Sequence, residues 1–363
     1  MHLGTPSLLN THQRWAIFCR VIDNHGDIGV CWRLASQLAD KGKQVTLYVD
    51  DASALAWMAP VGCEGVEVLA WPDDKESLAQ YAPADVVIEA FGCELPMQVQ
   101  AALASQTKPP VWINLEYFSA EAVAVRNHGL PSPIMSGPAK GMTKWFFYPG
   151  LDAHSGGLLR GIPLSTTSHV SQPTPHNSLQ PLRISVFCYE PASLPSWLAQ
   201  LCTSAQNVSL QVAHGRATQA VQQAWQQCLT LGVESQQLSI SYVPALSQDG
   251  YDAMLAGCDL NMVRGEDSLV RAMWAGKAFV WQIYPQDDGA HIPKLQAFLE
   301  ATHAPPVVVQ AHWAWNATAP TALPEISSAN LQEWTAWAKA LQQSLQAQTD
   351  LLTRLESFVA AHG

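Results

Sequence analysis

Leu260-Asn261-Met262-Val263 followed by Arg264-Gly265-Glu266-Asp267-Ser268 runs an apolar stretch into a charged turn, and a helical pattern opens at Leu269. Leu269, Ala272, Met273 and Gly276 recur at helical spacing, Gly276 is placed to close the helix, and Ala278-Phe279-Val280-Trp281-Gln282-Ile283-Tyr284 reads as the next buried strand. This is a β-α-β unit with its chemistry at the strand's carboxyl end. With Asp267 or Ser268 as N-cap, Gly265 in the turn and Arg264 beside it, the helix amino terminus suits a phosphate, and Arg264 can grip a diphosphate bidentately. Glu266 and Asp267 beside a phosphate need another task, and accepting hydrogen bonds from sugar hydroxyls is one. The turn reads as a nucleotide-sugar grip; the same residues also fit an ordinary capped helix with a surface ion pair.

The amino-terminal part repeats the rhythm. Trp15 to Ile22 is a strand, Asp23-Asn24-His25-Gly26-Asp27-Ile28-Gly29 a loop, and a helix runs through Val30, Leu34 and Leu38 to about Lys41. The next strand, Gln44 to Val49, ends at Asp50, where a dinucleotide fold places its ribose-binding acid, so an NAD-dependent Rossmann oxidoreductase is an alternative. Against it, the loop lacks G-x-G-x-x-G and sets Asp23 and Asp27 where a pyrophosphate would lie. Two carboxylates repel an anion but suit a cationic or hydroxyl-bearing acceptor, and either can act as general base; each also fits a plain cap of the turn or helix. His25 between them reads more readily as a surface loop residue than as a catalyst.

Further strands follow at Val66 to Leu69, Asp85 to Glu89 and Val111 to Asn114. In a parallel sheet of this kind ligands sit at the carboxyl ends of the strands, which directs Glu89, Phe91, Glu116 and Tyr117 toward the crevice of the Asp23 to Gly29 loop. A Ser, Thr and Pro-rich segment then separates a second α/β series that starts at Leu182, with Phe187 and Tyr189 alternating at its first strand end, either as core or as an aromatic face for a nucleobase. Near the end, Asn330 with Glu333 gives an N-cap signal. The expected organisation is a Rossmann-like unit over 1–160, a linker over 161–182, a second Rossmann-like unit over 183–328, and helices over 329–363 packing back toward the first. Two such units facing across a cleft describe the GT-B glycosyltransferase arrangement, with the active site between them.

Composition sets the outer bounds. A chain of 363 residues fits two domains. With 48% hydrophobic and only 13% charged residues, each can bury a core. A net charge of -11 argues against nucleic acid as a partner. Eight scattered cysteines, without C-x-x-C or zinc spacing, read as buried thiols of a cytoplasmic protein. No leader or membrane span is expected.

Four stretches, IFCRVIDNHGDIGVCWRLA from Ile17, NLEYFSAE from Asn114, SGGL from Ser155 and VRGEDSLVRAMWAGKAFVWQIYPQDD from Val263, together resemble the EarP family, the protein-arginine rhamnosyltransferases of bacterial elongation factor P. The resemblance spans nearly the whole chain. It implies a GT-B fold, dTDP-β-L-rhamnose as donor, no cofactor or metal, and inverting transfer of rhamnose to one arginine of elongation factor P; a monomer is expected. It makes the first unit acceptor-binding and the second nucleotide-sugar-binding. Asp27 matches the family's proposed general base and Asp23 its companion. Asn24, His25, Gly26, Glu116 and Tyr117 fall on the acceptor side. Arg264, Gly265, Glu266, Asp267 and Ser268 match the donor motif, Phe187 and Tyr189 the nucleotide-contacting pair, and Gln248 a base-recognition position. Where the family carries an aromatic residue in Pro-aromatic-x-Pro-Gln, this chain reads Pro244-Ala245-Leu246-Ser247-Gln248, leaving Leu246 or Tyr251 to face the base. A non-catalytic module that binds the elongation factor is the third reading.

Overall fold

The computed structural model describes residues 13–22, 25–161, 180–233, 236–286 and 289–363. The amino-terminal twelve residues, Asp23, Asn24 and most of the expected linker lie outside them. The first unit comprises β1 (Arg14–Cys19), α1 (Gly26–Asp40), β2 (Gln44–Val49), α2 (Leu55–Met58), β3 (Val66–Ala70), α3 (Lys75–Ala79), β4 (Val86–Ala90), α4 (Met97–Ala104), β5 (Val111–Leu115), α5 (Ala122–Asn127), β6 (Pro131–Pro133) and β7 (Thr143–Phe147). The second comprises β8 (Leu182–Val186), α6 (Leu194–Cys202), β9 (Val208–Val212), α7 (Arg216–Thr230), β10 (Leu238–Tyr242), α8 (Gln248–Gly257), β11 (Leu260–Arg264), α9 (Gly265–Ala275), β12 (Ala278–Gln282), α10 (His291–Ala301) and α11 (Pro306–Asn316). Then come α12 (Ser328–Gln346) and α13 (Leu351–His362).

The seven-stranded sheet runs β3-β2-β1-β4-β5-β7-β6 and the five-stranded one β10-β9-β8-β11-β12. Every pairing is parallel except that of β6 with β7 at the edge of the first sheet. Both sheets therefore reverse their winding between the first strand and the fourth, at β1/β4 and at β8/β11. At such a switch point the helices leave to opposite faces and open a crevice over the strand ends. After β1 the helix α1 opens at Gly26, earlier than the loop expected to run to Gly29, so Asp27 stands in its first turn; Phe91 follows β4, Phe187 follows β8, and Arg264 ends β11.

Apolar burial explains why the strands sit where they do: β1, β4, β5, β11 and β12 are buried almost throughout, as central parallel strands require. The two terminal helices divide between the cores. α12 buries Trp334, Trp337 and Leu341 in the second core, whereas α13 buries Leu351, Leu355 and Val359 in the first. The SGGL stretch is the socket for α13. Leu351 donates to the Leu158 carbonyl at 3.0 Å, and a Cβ on Gly157, whose φ is +70°, would lie 2.9 Å from the Thr349 carbonyl. Two expectations shift. Helix α12 is capped by Ser327, whose hydroxyl accepts from Asn330 N, so Asn330 is a first-turn residue and not the cap. Glu89 turns away from the crevice: it is buried, pairs with Lys144 at 2.5 Å and accepts from Leu95 N at 3.0 Å. All eight cysteines are free thiols and only Cys63 is not fully buried. Among the described residues no helix is long and apolar enough to cross a membrane.

Candidate active site

At the end of β11 the chain turns straight into α9. Arg264 is the N-cap residue, its side chain makes no cap hydrogen bond, and Gly265 begins the helix with a φ of +66°. The expectation of Asp267 or Ser268 as N-cap is therefore corrected: with Glu266 they form the first turn, and the Ser268 hydroxyl donates back to the Arg264 carbonyl. The left-handed Gly265 is what lets the helix open this early, since a side chain there would be strained. It sets the first turn of the helix, with Glu266 and Asp267, at the lining of two adjoining cavities.

Arg264 is 7% exposed. Its guanidinium carbon lies 4.4 Å from the Phe187 ring centroid and 4.6 Å from that of Tyr189, and Nη1 donates to the Cys188 carbonyl at 3.2 Å. The alternation of Phe187 and Tyr189 thus makes a cradle for Arg264, with Tyr189 fixed by a 2.8 Å bond from its N–H to Gln282 Oε1. Around them lies a cavity of about 420 Å³, lined by Phe187, Tyr189, Gln248, Arg264, Glu266 and Ser268 together with Trp57 from the first unit. Ala245 and Leu246 line it as well, and Tyr251 meets the Phe187 ring edge-on at 5.8 Å. Gln248 is engaged across the cleft: its side-chain amide donates to the Gly29 carbonyl at 2.8 Å.

Facing this turn, α1 begins at Gly26 after His25, whose side chain does not cap it. Asp27, in the first helical turn, is 2% exposed. Its Oδ2 accepts from Ile22 N at 2.9 Å and its Oδ1 from the Tyr117 hydroxyl at 3.1 Å. Tyr117 stacks on Phe91, with ring centroids 4.5 Å apart and planes 18° from parallel. Glu116 accepts from Asn114 Nδ2 at 2.6 Å, and burial raises its carboxyl above the ordinary range. Asp27, Phe91, Glu116, Tyr117, Tyr284 and Lys294 line a second cavity of about 290 Å³. Gly26, Gly265, Glu266 and Asp267 line both cavities and so mark where they meet. Asp23 and Asn24 lie outside the described residues.

The seam between the units is charged. Arg33 of α1 pairs with Asp252 of α8 at 3.1 Å, and Arg271 of α9 lies 4.0 Å from Asp252 and 3.9 Å from Asp267. Burial pushes the Asp252 carboxyl up, against the pull of Arg33 and then Arg271. Burial also pulls the Arg271 guanidinium down to about 10, which leaves it charged at neutral pH. Sequence reasoning missed this cluster, and Trp57 and Lys294 with it. Arg33 and Asp252 are 219 residues apart and belong to no local pattern.

A glycine-opened helix beside a cradled arginine suits a diphosphate, and a buried, hydrogen-bonded carboxylate across from it suits a cation or a proton. A family model described as elongation-factor P (EF-P) rhamnosyltransferase EarP matches residues 15–360. The protein-arginine rhamnosyltransferase of Pseudomonas aeruginosa is 41% identical over 378 residues, covering 95% of this chain and 98% of that one. Its counterpart from Pseudomonas putida is 43% identical over 311 residues, covering 78% and 80%. Among solved structures, one described as the structural basis for EarP-mediated arginine glycosylation of translation elongation factor EF-P matches with a TM-score of 0.61 at 26% identity, over 96% of this chain and 99% of that chain. The glycosyltransferase SnogD from Streptomyces nogalater, at 13% identity and a TM-score of 0.52 over 97% and 100% of the two chains, shares the fold. This α/β protein with two parallel-sheet units is a glycosyltransferase of GT-B fold, and it belongs to the EarP family of elongation-factor P rhamnosyltransferases.

Proposed function

We propose that this protein transfers L-rhamnose from dTDP-β-L-rhamnose to a guanidinium nitrogen of one arginine of elongation factor P, with inversion at the anomeric carbon, as a cytoplasmic monomer. The observation that carries the reading is the meeting of the two cavities at Gly26 and Gly265 to Asp267, with Asp27 on one side and Arg264 on the other. The larger cavity takes the dTDP part, its diphosphate on Arg264 and the α9 amides, and the smaller takes the arginine. A guanidinium stays protonated and its lone pairs are delocalised, so it needs a carboxylate to orient it and to accept its proton as attack proceeds. Asp27 does this, with Asp23 as its companion. As the new N–C bond forms, the bond from the anomeric carbon to the diphosphate oxygen breaks, dTDP leaves with the electron pair, and the guanidinium proton passes to Asp27. Arg264 and the helix terminus then carry the charge that a metal would otherwise neutralise.

Intact-mass measurement of elongation factor P after incubation with the protein and dTDP-β-L-rhamnose tests the reading. The expected result is a gain of one deoxyhexose with the wild type and, for Asp27→Asn, transfer slowed by about 10²- to 10⁴-fold with dTDP binding kept. Transfer by Asp27→Asn at the wild-type rate would remove Asp27 as base. Binding of the factor without any mass gain would favour a non-catalytic module.

A further inference from the structure

Phe91 follows β4 at the switch point of the first sheet, and its φ of +59° lies in the left-handed region. A bulky aromatic residue is disfavoured there, and such strain persists where the surroundings impose it. Gly92 follows with a φ of +71°, so the turn needs two successive left-handed residues and supplies glycine for one. A glycine at position 91 would relieve the strain. The chain keeps a phenyl ring there instead.

The ring's environment accounts for this. Phe91 N donates to the Leu115 carbonyl at 2.7 Å, tying the turn to the end of β5, two residues before Tyr117. The two rings lie nearly parallel at 4.5 Å, an offset-stack separation, and both line the Asp27 cavity. Phe91 also packs against the first core, but core packing alone requires neither a left-handed backbone nor a ring bordering the cavity. The stack restricts the side-chain torsions that keep the Tyr117 hydroxyl on Asp27 Oδ1.

We infer that Phe91 is a positioning residue for transfer: its strained turn aims a ring that confines Tyr117, and Tyr117 in turn holds the Asp27 carboxylate in its reactive orientation. The inference rests on the reading of Asp27 as the base. With Oδ2 held by Ile22 N and Oδ1 by Tyr117, the carboxyl plane is fixed from two sides. Weakening the Tyr117 contact shifts the carboxylate's orientation while leaving it present, and misplacement of a catalytic group lowers turnover more than donor binding.

The test uses the full chain with Phe91→Leu, Phe91→Tyr, Phe91→Gly, Tyr117→Phe and the Phe91→Leu/Tyr117→Phe pair. Phe91→Leu should lower kcat for glycosylation by about 10- to 100-fold while the Kd for dTDP is unchanged. Phe91→Tyr should retain activity. Phe91→Gly should be as slow as Phe91→Leu although its backbone is relaxed, which separates the ring from the turn. In the Tyr117→Phe background, adding Phe91→Leu should cost less than about twofold, since the two act through one contact. Independently of turnover, the carbon-13 carboxyl resonance of Asp27, assigned by its loss in Asp27→Asn, should move in Phe91→Leu in the same direction as in Tyr117→Phe. A wild-type rate for Phe91→Leu, additive losses in the pair, or an unmoved Asp27 resonance would overturn the inference. If the wild type itself transfers nothing, the functional reading fails and the carboxyl resonance alone decides whether Phe91 positions Tyr117.

Discussion

At the scale of single residues, Arg264 does its work through shape as well as charge. Its planar guanidinium fits between two aromatic rings, which an ammonium on a flexible stem does not reproduce. Arg264→Lys should therefore weaken dTDP binding about tenfold or more in calorimetry, although the charge is kept. Glu116 offers a test through pH. Burial raises its folded pKa above the unfolded value, so the folded state holds its proton more tightly. The native protein then loses stability as pH rises from the unfolded carboxylate value through the raised one, because the carboxylate that forms is disfavoured. Glu116→Gln abolishes that slope. Its midpoint of thermal unfolding should match the wild type near pH 4 and exceed it progressively toward neutrality, with any reversal of that trend counting against the burial argument.

Elements fix where these residues stand. Helix α9 matters because it starts at Gly265 and ends at Gly276, whose φ is +62°, and a side chain at Gly276 would run into Gln342 of α12. Gly276→Ala should destabilise by about 1 to 2 kcal/mol through that left-handed backbone, read as a lower denaturant midpoint. The cap of α12 gives a second measure: Ser327→Ala removes the acceptor for Asn330 N and should cost about 1 kcal/mol. Both helices were readable from periodicity, and Gly276 from its place after the last apolar position. Their first residues were not. Capping is decided by backbone angles two or three residues wide, and Ser327, Asn330 and Asp267 are all residue types that cap well, so composition alone does not rank them.

For the whole molecule the buried ion cluster joins the halves. Arg33 comes from the helix that carries Asp27 and Asp252 from the helix that begins at Gln248, so the cluster holds the two cavities in register. Asp252→Asn leaves Arg33 and Arg271 buried beside each other without their shared counter-charge. It should cost on the order of 3 kcal/mol in stability and enlarge the radius of gyration in small-angle scattering as the cleft opens. A variant of unchanged stability and size would show that apolar packing alone closes the seam.

The sequence determined the strands, the rhythm of two α/β series and the charged strand-to-helix junction at Arg264, because each is a local pattern: apolar runs for buried strands, helical spacing, glycine where the backbone turns; it set Asp27 and Asp267 before their helices, whereas both lie in the first helical turn. The rule that parallel sheets bind at their strand ends put Asp27 after the first strand of one unit and Phe187 and Tyr189 after the first strand of the other; in the structure Asp27 lines one cavity and Phe187, Tyr189 and Arg264 the adjoining one. Only the tertiary structure decided that Glu89 faces Lys144 in the interior, that Gln248 reaches Gly29, that Phe91 stacks on Tyr117 and that Arg33 meets Asp252. These depend on how far each side chain projects and on the approach of segments up to 219 residues apart, and neither leaves a trace in local spacing.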